Sequence, residues 1–152
     1  MLARLTHRPL IVALAALILM ITAASIALAQ PQTFPSTAFT SPDVCGQCHT
    51  DIYEQWDRTI LSRAWTDPFY QAQMREAIAD TSGQLNPFCI KCHSPVGVMA
   101  GENIPPDGSN MSEIATRGVQ CDFCHTISGL DGVSNGNYLV TPGNVKRGPF
   151  QD

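Results

Sequence analysis

Six cysteines and three histidines fall into one repeated pattern: CGQCH from Cys45 to His49, CIKCH from Cys89 to His93, and CDFCH from Cys121 to His125. No cysteine lies outside it. Thiols at i and i+3 project from one turn of chain toward the same edge of a flat ligand, and the next residue lies under that ligand. This order suits a porphyrin: the thiols add to its two vinyl groups as thioethers, and the imidazole binds the iron from one face. The pattern predicts covalent haem c at all three copies. Cys45, Cys48 and His49 would hold the first, Cys89, Cys92 and His93 the second, and Cys121, Cys124 and His125 the third, with His49, His93 and His125 as proximal iron ligands. A zinc site would use the pairs two at a time and leave an odd half-site, with the histidines unexplained. A redox dithiol normally occurs once, in a βαβ setting that this sequence lacks.

Each iron also has a sixth position, and the histidines run out before reaching it. The fourth histidine, His7, lies in the N-terminal segment. Three readings stay open. Methionine is the first: Met74, Met99 and Met111 follow the leader, and Met/His ligation raises reduction potentials. Met74 sits on an apolar strip at helical spacing and reads as packing. Met99 and Met111 lie in or beside Gly- and Pro-rich segments and are the candidate distal ligands. The second reading is an open or water-bound iron, and the third is a histidine supplied from outside this chain.

The elements that must position these groups begin after residue 29. Arg4 and Arg8 precede an uncharged apolar run that ends in Ala27-Leu28-Ala29, the pattern of a secretory signal peptide over residues 1–29. Left uncleaved, the run from Leu10 to Ala29 is long enough to anchor the chain in a bilayer. Either way the remainder is exported, with a periplasmic location expected. That remainder carries seven basic and thirteen acidic residues, a net charge of −6, which disfavours nucleic acid and anionic membrane as partners. Residues 30–44 read as an extended Pro/Ser/Thr-rich lead-in, and residues 45–152 as a domain built around three haems. So short a chain buries little apolar surface by itself, so the porphyrins would form much of its core.

Ile52, Tyr53, Trp56 and Ile60 recur at helical spacing after the first motif. Thr66 or Asp67 caps a helix with Pro68 at its first position. The segment 94–110 reads as loop, and 111–120 as a short helix capped by Ser112 and stopped by Gly118. Past Gly129 only Asn137 to Val140 reads as strand. The fold class expected is mainly α with much irregular loop.

The segments CGQCHTDIYEQW, DPFYQAQ, FCIKCHSP, GVQCDFCHTISG and KRGPF, from about Pro42 to Phe150, resemble the multihaem c-type cytochromes related to hydroxylamine oxidoreductase and its tetrahaem electron acceptor. The resemblance implies a small multihaem cytochrome c fold and periplasmic electron transfer through closely stacked haems. Relatives continue past the KRGPF region with further motifs and histidines, so this chain reads as an N-terminal fragment. They also carry a histidine shortly after the tryptophan that follows the first motif. Here LSRAW stands there, and the Arg63 fork suits a haem propionate or plain solvent. An electron carrier working with redox partner proteins, and with other haem-bearing chains supplying distal ligands, ranks first. A haem enzyme acting on a small nitrogen or sulfur compound at an open iron ranks behind it. For that role only acidic residues, Tyr53, Tyr70 and Tyr138 offer acid–base groups. A filament subunit or a sensor module is the remaining alternative.

Overall fold

The structure, a computed structural model, describes residues 11–16, 33–105, 107–134 and 136–148, without the side chains at 86 and 87. The chain divides into two units, Met1–Gln32 and Thr33–Asp152. In the first, residues 11–16 are helical and exposed; the expected signal segment otherwise lies outside the described residues. Among the described residues no helix is long and apolar enough to cross a membrane.

The second unit is mainly α with much irregular loop, as expected. A 3-10 turn (Ser36–Ala38) precedes α1 (Pro42–Gly46), α2 (Thr50–Asp57), α3 (Pro68–Thr81), α4 (Asn86–His93), α5 (Pro95–Met99) and α6 (Cys121–His125). Strands β1 (Ile127–Leu130) and β2 (Tyr138–Val140) pair antiparallel, Leu130 opposite Tyr138 and Ile127 opposite Val140, with an irregularity between Ile127 and Gly129.

Local chemistry sets most of these bounds. Asp67 accepts from Tyr70 N at 2.8 Å and Pro68 opens α3, satisfying amides that a helix start leaves unpaired. Ser82 ends the helix in the left-handed region, φ 52°. Tyr70 and Met74 turn inward with Ile78 one turn on, while Phe69 stays 71% exposed. Ser41 caps α1 by accepting from Asp43 N, so helix begins within the expected lead-in.

Three segments depart from the sequence expectation. Residues 95–99 form a helix rather than loop, because Ser94 caps them, Pro95 suits the first position, and Val96 is fully buried. Residues 113–116 make a single turn rather than a helix. The Ser112 hydroxyl there donates to the Glu102 carboxylate at 2.7 Å, and Ala115 O accepts from Ser94 Oγ, so the segment is tied sideways instead of propagating. Strand β1 is unforeshadowed by its Ser-Gly sequence and exists through its pairing with β2.

Two small apolar clusters hold the unit together. Phe39, Val96, Ala115, Phe123 and Val140 form one, and Trp65, Tyr70, Met74 and Ile90 the other; Met111 packs against both. The chain between α2 and α3 is pinned to the strand of chain entering α6. Trp56 Nε1 donates to Val119 O at 2.8 Å, and Val119 N to Leu61 O at 2.9 Å. The approach is so close that Gly118, at φ +68°, has no room for a side chain: a Cβ there would lie 2.3 Å from Leu61 O. Arg117 locks the same corner, donating to Asp43 at 2.8 Å, where Tyr53 also donates at 2.7 Å. The Tyr53 bond, with Arg117 assisting against a small burial effect, holds the Asp43 carboxyl below the usual carboxylate range.

Gly118→Ala is therefore expected to cost more than about 2 kcal/mol, by steric overlap added to left-handed backbone strain. Gly101→Ala, at φ +69° with nothing within 4 Å of its Cβ, should cost only about 1 kcal/mol. Denaturant midpoints of the two variants in that order support the close approach; equal midpoints count against it.

Candidate functional site

Each motif occupies one helical turn. On such a turn residues i, i+3 and i+4 share a face, and i+1 and i+2 look the other way. The second motif lies wholly within α4 and the third is α6 itself. The first begins in α1 and closes with His49 N donating to Cys45 O at 2.9 Å. In every copy the first cysteine is half-buried and the second exposed.

At least one intervening residue of each motif turns toward the polypeptide, and each meets a different wall, while Gln47 of the first motif is exposed. Ile90 of CIKCH is fully buried in the second cluster. Gly46 of CGQCH lies against the Tyr53 ring, where a Cβ would sit at 2.8 Å. Asp122 and Phe123 of CDFCH are 1% and 5% exposed. Phe123 meets Tyr138 edge-on, ring centroids 4.7 Å apart, and the Tyr138 hydroxyl donates to Lys91 O inside the second motif. Tyr138 thus ties the second motif to the third.

The buried Asp122 carboxylate accepts from Thr40 N at 2.7 Å and pairs with Lys146. The neighbouring Arg147 clamps His125 at two points: its amide donates to His125 O at 2.7 Å, and its carbonyl faces His125 Nδ1 at 2.6 Å. His93 Nδ1 meets Ala64 O in the same way, at 2.6 Å. A carbonyl only accepts, so Nδ1 carries the proton, and in the neutral ring Nε2 then keeps its lone pair. That is the arrangement by which a protein orients an imidazole for a metal.

Space adjoins each motif. Cys45, His49, Cys121 and His125 line one cavity of about 400 Å³, so the first and third motifs open onto common ground. Helices α1 and α6 pack there, bringing Cys45 and Cys121 together. Burial, then the Asp122 carboxylate, pushes the Cys45 thiol up; burial also raises Cys121, ahead of Cys45, and Cys124. Two cavities flank the second motif, about 430 Å³ beside Cys89 and Met74 and about 520 Å³ beside Arg58 and Arg63; Cys92, His93 and Tyr70 line both. Volumes of this order suit cofactors. Their walls include Ile52, Phe88 and Ile60, apolar side chains 63–86% exposed, as fits an apolar macrocycle against them.

The remaining candidates sit as follows. Met99 and Met111 pack against the apolar clusters. Met74 is buried and also forms cavity wall. Arg63 is exposed and borders the second motif. Among the described residues no three of His, Cys, Asp or Glu gather into a metal-holding cluster. Sequence reading missed Asp122, Lys146, the Arg147 clamp, Tyr138 and the Ala64 carbonyl. An acid placed between the two cysteines of CDFCH was the available signal for the first of these.

Turns of this build, with paired thiols and, at His93 and His125, an imidazole oriented by a carbonyl, suit the attachment of covalent haem. Residues 44–126, more than half of the chain and inclusive of all three motifs, match the family model for cytochrome c554 and c-prime, and the chain belongs to that family. It is accordingly a c-type cytochrome, holding covalent haem c for electron transfer. Comparison with curated proteins and with solved structures finds no match to the chain.

Lys146→Met would leave Asp122 buried with only the Thr40 amide facing it. The expected cost is about 2 kcal/mol, below that of breaking a fully enclosed pair because Lys146 is partly exposed. Adding Asp122→Asn should recover part of the loss. Urea denaturation of both variants measures this; a double variant no more stable than Lys146→Met would dismiss the pair.

Proposed function

We propose that the chain is a periplasmic electron carrier with three covalent haems, one at each C-x-x-C-H turn. The observation that carries this reading is the common construction of the turns, with the second cysteine of each exposed and Gly46, Ile90, Asp122 and Phe123 set against the polypeptide behind them. Cys45 and Cys48, Cys89 and Cys92, and Cys121 and Cys124 supply the thioethers. His49, His93 and His125 supply Nε2 to iron. The bound haems provide one-electron exchange at iron; the polypeptide fixes where those irons stand. The Ala64 and Arg147 carbonyls hold two of the imidazoles, and buried Asp122 and Ile90 keep their turns from rotating. The cavity shared by the first and third motifs supports their haems lying side by side, with Tyr138 keeping the second near the third.

Other parts of the reading rest on sequence. Kinship to tetrahaem and hydroxylamine oxidoreductase-like cytochromes, and export through the N-terminal segment, belong to it. So does docking with redox proteins whose surface is positive, to complement the net charge of −6 carried by residues 30–152. Distal ligands come from Met99, Met111 or another haem-bearing chain. Arg58 and Arg63 at the second motif offer positive charge to propionates. A second reading, an open iron acting on a small anionic nitrogen or sulfur compound, draws on the same arginine-lined cavity beside His93. It requires a five-coordinate haem.

Matured in a host competent for haem c attachment and then denatured, the protein is expected to weigh as polypeptide plus three haems. Replacing either cysteine pair Cys89/Cys92 or Cys121/Cys124 by serine should remove one haem each. A mass with fewer than three haems on the parent would reject the reading. Cyanide or nitrite shifting a high-spin band would favour the enzyme over the carrier.

A further inference from the structure

Tyr70 occupies a place that haem anchoring does not explain. Its ring lies parallel to the His93 imidazole, centroids 3.6 Å apart and planes within 2°. Aromatic rings left to themselves prefer offset or edge-on contacts to so direct an overlap, so the scaffold holds this one. The Tyr70 amide is fixed by Asp67 at 2.8 Å, and Trp65 stands edge-on behind the ring at 6.0 Å. Tyr70 is 8% exposed, and its hydroxyl has no hydrogen-bond partner among the described residues.

His93 is held in its own plane by the bond from Nδ1 to Ala64 O. An in-plane hydrogen bond leaves the imidazole free to rock about the bond axis. A ring against its face removes that freedom. Tyr70 also lines both cavities that His93 and Cys92 line.

We propose that Tyr70 is a positioning residue for His93. Together with the Ala64 carbonyl it sets the plane of the imidazole, and through that plane the ligand field and reduction equilibrium of the haem at the second motif. This rests on haem being attached at Cys89 and Cys92. Partners of a metal-bound imidazole tune the metal as well as orient the ring.

The test uses the matured full chain in three variants: Tyr70→Leu, which removes the ring; Tyr70→Phe, which keeps it; and Ile78→Ala, which removes packing from the same helix face without touching His93. Mass gives haem content, electron paramagnetic resonance of the oxidised protein gives ligand-plane signatures, and a redox titration gives midpoints. Tyr70→Leu is expected to move the signature of one haem and change its reduction equilibrium about threefold, about 30 mV at 59 mV per tenfold for one electron. Tyr70→Phe should keep the parent signature. Ile78→Ala should lower stability with every signature unmoved. Parent signatures in Tyr70→Leu overturn the proposal, and so does an equal shift in Tyr70→Phe or Ile78→Ala. Where leucine does not fold, Tyr70→Met carries the same expectations. A parent lacking haem at the second motif overturns the haem reading and this proposal with it; a fully loaded parent indifferent to Tyr70→Leu overturns this proposal alone.

Discussion

A helical turn presents only one face to a flat partner, and residues i, i+3 and i+4 are the ones on it. Two cysteines and a histidine at that spacing share one side of the turn, which leaves the other side, with Gly46, Ile90, Asp122 and Phe123, to the polypeptide. The consequence runs through the whole molecule. The cysteines and histidine are the same in each turn, and what each turn shows to the polypeptide is different: the small Gly46 against Tyr53, the aliphatic Ile90 in an apolar cluster, the Asp122–Phe123 pair between Lys146 and Tyr138. The scaffold is therefore built from the backs of the motifs.

The same constraint accounts for the amount of irregular chain. An imidazole that offers Nε2 to iron needs an acceptor for its Nδ1 proton. Carbonyls inside a helix are already engaged by the ladder of amides, so acceptors have to come from elsewhere. Ala64 lies in the turns between α2 and α3, and Arg147 in the chain after β2. These segments lack regular structure yet are tied down. The Val119–Leu61 bond, the close approach at Gly118 and the Arg117–Asp43 pair fix the first, and the Lys146–Asp122 pair and the Arg147 amide fix the second.

Legibility in the sequence follows the range of the interaction. Helices α2 and α3 could be read because their signals are local: apolar spacing, an Asp67 cap, Pro68 at the start, a break at Ser82–Gly83. The strand at Tyr138–Val140 could be read from its residue types. Helix α5 was hidden because Gly and Pro dominate its composition, whereas the Ser94 cap and the burial of Val96 decide it. Residues 113–116 misled in the opposite direction, since their cap and Gly118 stop signal a helix that sideways bonds to Glu102 and Ser94 forestall. At the site the thiols and imidazoles are explicit in the sequence. Their supports are not, because a backbone carbonyl such as Ala64 O leaves no trace in residue identity, and the Thr40–Asp122 bond joins residues 82 apart.

Order along the chain is not order in space. The first and third motifs share a cavity while the second stands apart, joined to the third through Tyr138. Bringing α1 to α6 closes a long loop, at an entropic cost that grows slowly with loop length. The contacts that meet this cost are Arg117 with Asp43, 74 residues apart, and Asp122 with Thr40 and Lys146. All of them sit immediately beside the first or third motif. The contacts that complete this part of the fold are thus the ones that bring two C-x-x-C-H turns onto one cavity. In a chain with so little apolar core, the same few contacts both close the fold and set the distance between those two turns.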